Sequence, residues 1–187
     1  MKRNARPSLF DATVGFDDPL EMLMACHRRI EKQLDTLKRL LPHIKEHGVD
    51  ADASIAAQSV LHYFARAAAN HHDDEEKDLF PLLEQRITED GERSRFHALR
   101  DELERDHREV QSAWMRLRKP LEAIADGMTR ALPASDVHSF VAAYARHIIA
   151  EESTFQEFFD RWLDDSDRSA LGRSMSARRV SNTRPGL

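Results

Sequence analysis

A chain of 187 residues with 33% charged side chains and a formal net charge of −5 is long enough for one domain with a real core and too short for two comfortable ones. The charges are mixed along the chain rather than gathered into a basic surface, so nucleic acid is not an expected partner. No run of about 18 apolar residues is available to span a membrane, and MKRNARPSLF lacks the apolar core of a signal segment. The single cysteine, Cys26, rules out an internal disulfide, and a cytoplasmic protein with no membrane partner is expected.

Only six glycines accompany this charge, which points to long amphipathic helices rather than a turn-rich β fold. Residues 1–16 show no helical period, contain Pro7 and Gly15, and are expected to form an irregular arm. Asp17, Asp18 and Pro19 signal the start of a first helix that runs to about Glu46, with Pro42 bending its last turn and Gly48 stopping it. A second helix starts after Asp52 or Ser54 and reaches about Arg86, with Pro81 kinking or ending it. The third covers about Glu92 to Asp126, interrupted at Pro120 and stopped by Gly127. Pro133, Ser135 and Asp136 announce the fourth, which extends to about Asp165. From 166 to 187 the Ser- and Arg-rich stretch SDRSALGRSMSARRVSNTRPGL is expected to be a disordered tail. Four long helices with short connections over 17–165 predict an all-α, antiparallel, four-helix up-down bundle.

The helical period of about 100° per residue decides which side chains face the core. In the first helix the stripe Leu20, Leu23, Met24, Ile30, Leu34, Leu37, Leu41 has His27 in its middle; in the third, Phe96, Leu99, Leu103, Val110, Trp114, Leu117, Leu121 encloses His107. The second gives Leu61, Phe64, Ala68, Leu79 and Leu82 with Glu75 at the centre and His71 near one flank. The fourth gives Val137, Phe140, Tyr144, Ile148, Phe155, Phe158 and Trp162 with His147 and Glu151 inside the arc. Asp73, Asp74 and Lys77 are expected to face outward, with His72 and Glu76 on the opposite shoulder. The strings HHDDEE and HIIAEE correspond, so the second helical pair repeats the first.

A buried polar group without a partner costs about 1–3 kcal/mol, so six of them together would cost about 6–18 kcal/mol against a usual net stability of about 5–15 kcal/mol. One histidine on an apolar face is normally a satisfied core residue. A histidine from each of four helices, two of them with a carboxylate one turn on, instead points to metal: His27, His71, Glu75, His107, His147 and Glu151. Imidazole with carboxylate suits iron, manganese or zinc. A histidine and a glutamate four apart are separated by about 6 Å along the axis, so a helix can ligate one ion while its carboxylate reaches a second. Two octahedral irons joined by both carboxylates and an oxo or hydroxo bridge would keep positions open for a small diatomic or peroxide. His72, which reaches Glu75 and Glu76, is the alternative to His71 on the second helix. His43 and His47 lie at a helix end, and His62, His97 and His138 lack a carboxylate in register, so all five are set aside.

DPLEMLMACHRRIEKQL around His27, HHDDEEKDLFPLL, ERDHREV around His107, and ARHIIAEESTF together resemble the hemerythrin-like, histidine-histidine-glutamate (HHE) cation-binding family over about residues 17–163. The resemblance implies a four-helix bundle around a non-haem di-iron centre. His71, Glu75, His147 and Glu151 fall on matched motif positions, and His27 and His107 match by local context. Oxygen-carrying members have a second histidine one turn from the third-helix ligand, where this chain has Leu103 and Gln111. The set of four histidines and two glutamates is closer to members that repair iron-sulfur clusters or reduce nitric oxide, but their paired-cysteine N-terminal segment is missing. Three functions therefore compete: a module that binds or senses O2 or NO or handles iron, an oxidoreductase acting on nitric oxide or peroxide, and a metal-free helical interaction protein.

Overall fold

A computed structural model describes residues 18–128 and 131–181. The arm expected over 1–16, Asp17 and the tail residues 182–187 lie outside the described residues. In chain order the elements are α1 (Pro19–His47), α2 (Ala51–Asp74), a π turn (Glu75–Leu79), α3 (Phe80–Arg86), α4 (Asp90–Ala125), α5 (Ala134–Glu152), α6 (Phe155–Trp162) and α7 (Asp165–Ser181).

Local chemistry sets the ends. The Asp18 carboxylate accepts from the Glu21 N–H at 2.9 Å with Pro19 in the first helical position, as the sequence indicates. Asp50 caps α2 in the same way, accepting from the Ala53 N–H at 2.9 Å, so the helix begins slightly before the expected start. Gly48 ends α1 at φ 75°, a left-handed conformation that favours glycine, and donates its N–H to the Ile44 carbonyl.

Three expectations about continuity are corrected. α4 runs unbroken through Pro120, because Leu117, Leu121 and Ile124 are fully buried on one face and fix the segment that the proline alone would loosen. The second helix does not end at Pro81 but continues to Arg86: the ladder shifts so that Phe80 N–H bonds to the Glu75 carbonyl, a π turn just ahead of the proline that has no N–H to offer. The fourth helix does break. α5 stops at Glu152, where Thr154 N–H bonds to the Glu151 carbonyl and Ser153 Oγ competes for the Ala150 carbonyl, and α6 restarts at Phe155.

The fourth correction is the segment after Asp165, expected to be disordered and helical as far as Ser181. Leu171 and Met175, one turn apart, are buried in the core, and Arg178 and Arg179 both reach the Asp74 carboxylate at 2.8 Å. Those two anchors outweigh the polar composition of the rest.

α1 packs on α2 and α5, and α4 packs on the same two, closing a four-helix ring in which α3 and α6 continue the second and fourth members. The apolar core divides in two. One cluster, including Ile30, Leu37, Phe64, Val110, Trp114 and Phe140, fills one half; the other, including Leu23, Leu79, Phe80, Phe96, Phe155 and Phe158, fills the other and takes in Leu171 and Met175 of α7. Between them lies a polar layer made of His27, His71, Glu75, His107, His147 and Glu151, all nearly or wholly excluded from solvent.

Candidate metal centre

Each helix of the ring contributes to this layer at the height where its apolar stripe is interrupted. His27 Nε2 and His71 Nε2 face each other at 3.1 Å, and the Glu151 carboxylate stands 2.6 Å from His27 Nε2 and 3.9 Å from His71 Nε2. The other Glu151 oxygen is 3.5 Å from His147 Nε2. Glu75 mirrors this on the opposite side, with one oxygen 3.2 Å from His71 Nδ1 and the other 3.1 Å from His107 Nε2. The outcome is two overlapping groups whose ligand atoms lie within 4.8 Å of one another: His27, His71, Glu75, Glu151, and Glu75, His107, His147, Glu151. All six residues singled out from the sequence are brought together, and the two glutamates belong to both groups.

Most of these atoms are close to one another without hydrogen-bond geometry. His71 Nδ1, His107 Nε2, both ring nitrogens of His147 and all four oxygens of Glu75 and Glu151 are buried with no hydrogen-bond partner. Buried polar atoms at this density are costly unless something satisfies them. Nitrogen and oxygen donors on four helices, converging on two points, fit a pair of first-row metal ions.

The second residue of each Glu-Glu doublet completes the layer. Glu76 Oε1 accepts from His107 Nδ1 at 2.5 Å, and Glu152 Oε1 accepts from His27 Nδ1 at 3.0 Å. A proton held on Nδ1 by a carboxylate leaves Nε2 with its lone pair facing the centre, which fixes both the tautomer and the ring orientation a metal ligand needs. These two roles were missed in the sequence, although HHDDEE and HIIAEE carry the doublet in both places.

The electrostatics describe a site built for added positive charge. Burial raises Glu75, and the neighbouring Glu151 carboxylate raises it further. Burial works the same way on Glu151, but the surrounding imidazoles of His147, His27 and His71 hold it below the usual range. Burial depresses His27, yet Glu151 and Glu75 more than offset it and hold the imidazole at about 9. His107 is depressed by burial and lifted by Glu75 and Glu76, to about 10. Burial dominates for His147, which falls to about 4, and for His71, which is pushed well down.

His72 is not the second-helix member of the Glu151 group; its ring stacks on His107 at 4.0 Å and 16°, and it forms a third possible group with His107 and His147. Its Nε2 is buried without a partner, and it borders a void of about 20 Å³ with Phe64, Val110, Gln111, Trp114 and Tyr144. Asp74, expected outward, is buried where α7 covers it. The remaining histidines lie away from the centre: His43 pairs with Asp50, His97 with Glu84, and His47, His62 and His138 are exposed.

An all-α bundle with a buried layer of histidine and glutamate defines a cation-binding class of helical protein. The chain belongs to the hemerythrin HHE cation-binding domain family, whose model matches residues 18–159. An uncharacterized protein of Haemophilus influenzae is similar to it, 32% identical over 164 residues that cover 88% of this chain and 91% of that protein.

Proposed function

We propose that this chain is a non-haem di-iron protein in which His27, His71, Glu75, His107, His147 and Glu151 hold two iron ions, and that it binds or senses a small ligand such as O2 or NO. The observation that carries this reading is the sharing of Glu75 and Glu151 between two four-residue groups whose oxygens have no hydrogen-bond partner. Without metal, Glu151 and Glu75 have only the His27 and His107 imidazoles as ion-pair partners, and their other oxygens and both ring nitrogens of His147 stay unsatisfied in a buried layer, which disfavours a metal-free interaction protein.

Bound there, iron supplies a redox-active Lewis acid. The chain does the rest. Glu75 and Glu151 span the two groups, Glu76 and Glu152 hold the protons of His107 and His27 on Nδ1, and the apolar walls on either side keep water out. The void beside His72 is about the size of one small molecule, and its lining is aromatic and aliphatic apart from His72 and Gln111, with no Arg, Lys, Asp or Glu, which suits a diatomic better than a charged substrate. A second reading, an oxidoreductase acting on nitric oxide or peroxide, is favoured by one feature: His72, which burial first and then His107 and His147 keep neutral, has a buried Nε2 with no partner next to that void. Among the described residues no helix is long and apolar enough to cross a membrane, and cytoplasm is the compartment we propose.

Iron quantification after anaerobic loading, alongside an optical spectrum, tests the proposal. We expect about two irons per chain and a near-ultraviolet oxo-to-iron band, both lost in Glu75→Ala and Glu151→Ala variants that still fold. Less than about a tenth of an equivalent of iron would end the metal reading. Turnover of nitric oxide or peroxide by the loaded protein, weakened in His72→Phe, would favour the enzyme over the sensor.

A further inference from the structure

A concavity of about 300 Å³ opens where α1, α2 and α7 meet, outside the polar layer. Its charged walls are Arg29, Arg66 and Arg179, with Cys26, His62, Tyr63, Ala67 and Asn70 completing the lining, and no carboxylate is among the lining residues. Arg29 is one turn on from Cys26, and His62 and Arg66 are one turn apart on α2, so the helical period alone aims them at the same opening.

This grouping runs against the rest of the molecule. The net charge is −5, and most arginines of the described residues are engaged by acids: Arg28 by Glu21, Arg86 by Asp167, Arg95 by Glu92 and Glu157, Arg161 by Glu89. Arg29 and Arg66 have no hydrogen bond or ion pair among the described residues, and Arg179 brings a third guanidinium to the same wall while it pairs with Asp74. Like charges gathered in a concave wall raise the local potential and select an anion of matching charge. Guanidinium groups recognise phosphate bidentately, and a volume of this order accommodates a small phosphorylated molecule.

We propose that this concavity is a binding site for a phosphomonoester, held by Arg29, Arg66 and Arg179 with His62 at the rim. The site stands apart from the di-iron reading, although Cys26 and Asn70 in its wall directly precede His27 and His71, so the ligand would lie next to the backbone of both.

Titration of the full-length protein with inorganic phosphate by calorimetry, at constant ionic strength set with chloride, tests it. We expect one saturable site per chain, weakened at least about tenfold in the Arg29→Gln Arg66→Gln double variant and unchanged in Arg173→Gln, an exposed arginine of α7 outside the concavity. Both substituted arginines are exposed, so the fold survives the exchange. Absence of saturable binding, equal affinity in the double variant, or an equal loss in Arg173→Gln would overturn the proposal. Displacement of phosphate by equimolar acetate would overturn the assignment to phosphate.

Discussion

Glu76 Oε1 sits 2.5 Å from His107 Nδ1, so a half-exposed glutamate just outside the polar layer decides which face of a buried imidazole is available inside it. Glu152 stands in the same relation to His27. Replacing either partner by glutamine keeps the shape and removes the charge that holds the Nδ1 proton. Glu76→Gln and Glu152→Gln are each expected to weaken metal affinity about 10–100-fold with the helical content unchanged, read by competition against a chelator. Affinity equal to that of the parent would remove both residues from the site.

The pKa shifts give the metal-free protein a stability optimum near neutrality. His27 and His107 titrate at about 9 and about 10, above the unfolded value of 6.5; their contribution is complete below 6.5 and is lost as pH rises through 9 to 10. His147 titrates at about 4, below its unfolded value; its contribution is present above 6.5 and is lost as pH falls through about 4. Melting temperatures of chelator-treated protein are expected to fall on both sides of neutrality. Loading with metal, which takes the place of those protons, lifts the alkaline side. A melting temperature that stays level up to pH 10 without metal would contradict the charged-imidazole pairs.

Asp74 is almost wholly buried and is held by Arg178 and Arg179, each at 2.8 Å. Removing both arginines strands a carboxylate under α7. An Arg178→Ala Arg179→Ala variant is expected to lose about 3–5 kcal/mol in urea unfolding, and adding Asp74→Ala should recover part of it. A loss that is no smaller in the triple variant would show that the arginines act through something other than Asp74.

Gly48 serves as a control far from the centre. At φ 75° a side chain is strained although nothing lies within 4 Å of the added Cβ, so Gly48→Ala should cost about 1 kcal/mol while leaving iron content alone. A change in iron content there would mean that global stability, rather than the ligand set, controls loading.

Much of this was legible in the sequence because period and polarity agree. His27 and His107 interrupt otherwise apolar stripes, and the His-x-x-x-Glu pairs of α2 and α5 fall on the core face, so the convergence of six residues follows from counting along helices. The α4 stripe, from Phe96 to Leu121, is buried throughout. What was hidden has a common cause: it depends on partners distant in sequence. Leu171 and Met175 are a weak apolar signal in a polar stretch until the other helices offer a groove, and Asp74 reads as an outward residue until Arg178 and Arg179 arrive from roughly a hundred positions away. The choice between His71 and His72 was likewise open to sequence, because neighbours on a helix differ by only about 100° and either could lean toward the centre.

The turn at Glu75 sets the phase of one long rod. A π turn takes one residue more than a regular helix needs for the same rise, so the core line of Ala68, His71 and Glu75 is taken up five residues on by Phe80 and then by Leu83, with Phe80 against the rings of Phe96 in α4 and Phe155 in α6. In an unbroken α-helix the same sequence would carry Phe80 and Leu83 about 100° further round from the line of His71 and Glu75, so the extra residue of the wide turn is absorbed without turning either half of the rod away from the core. Transplanting this pair of carboxylates onto an idealised bundle therefore means either copying the wide turn or leaving out one residue between Glu75 and Phe80.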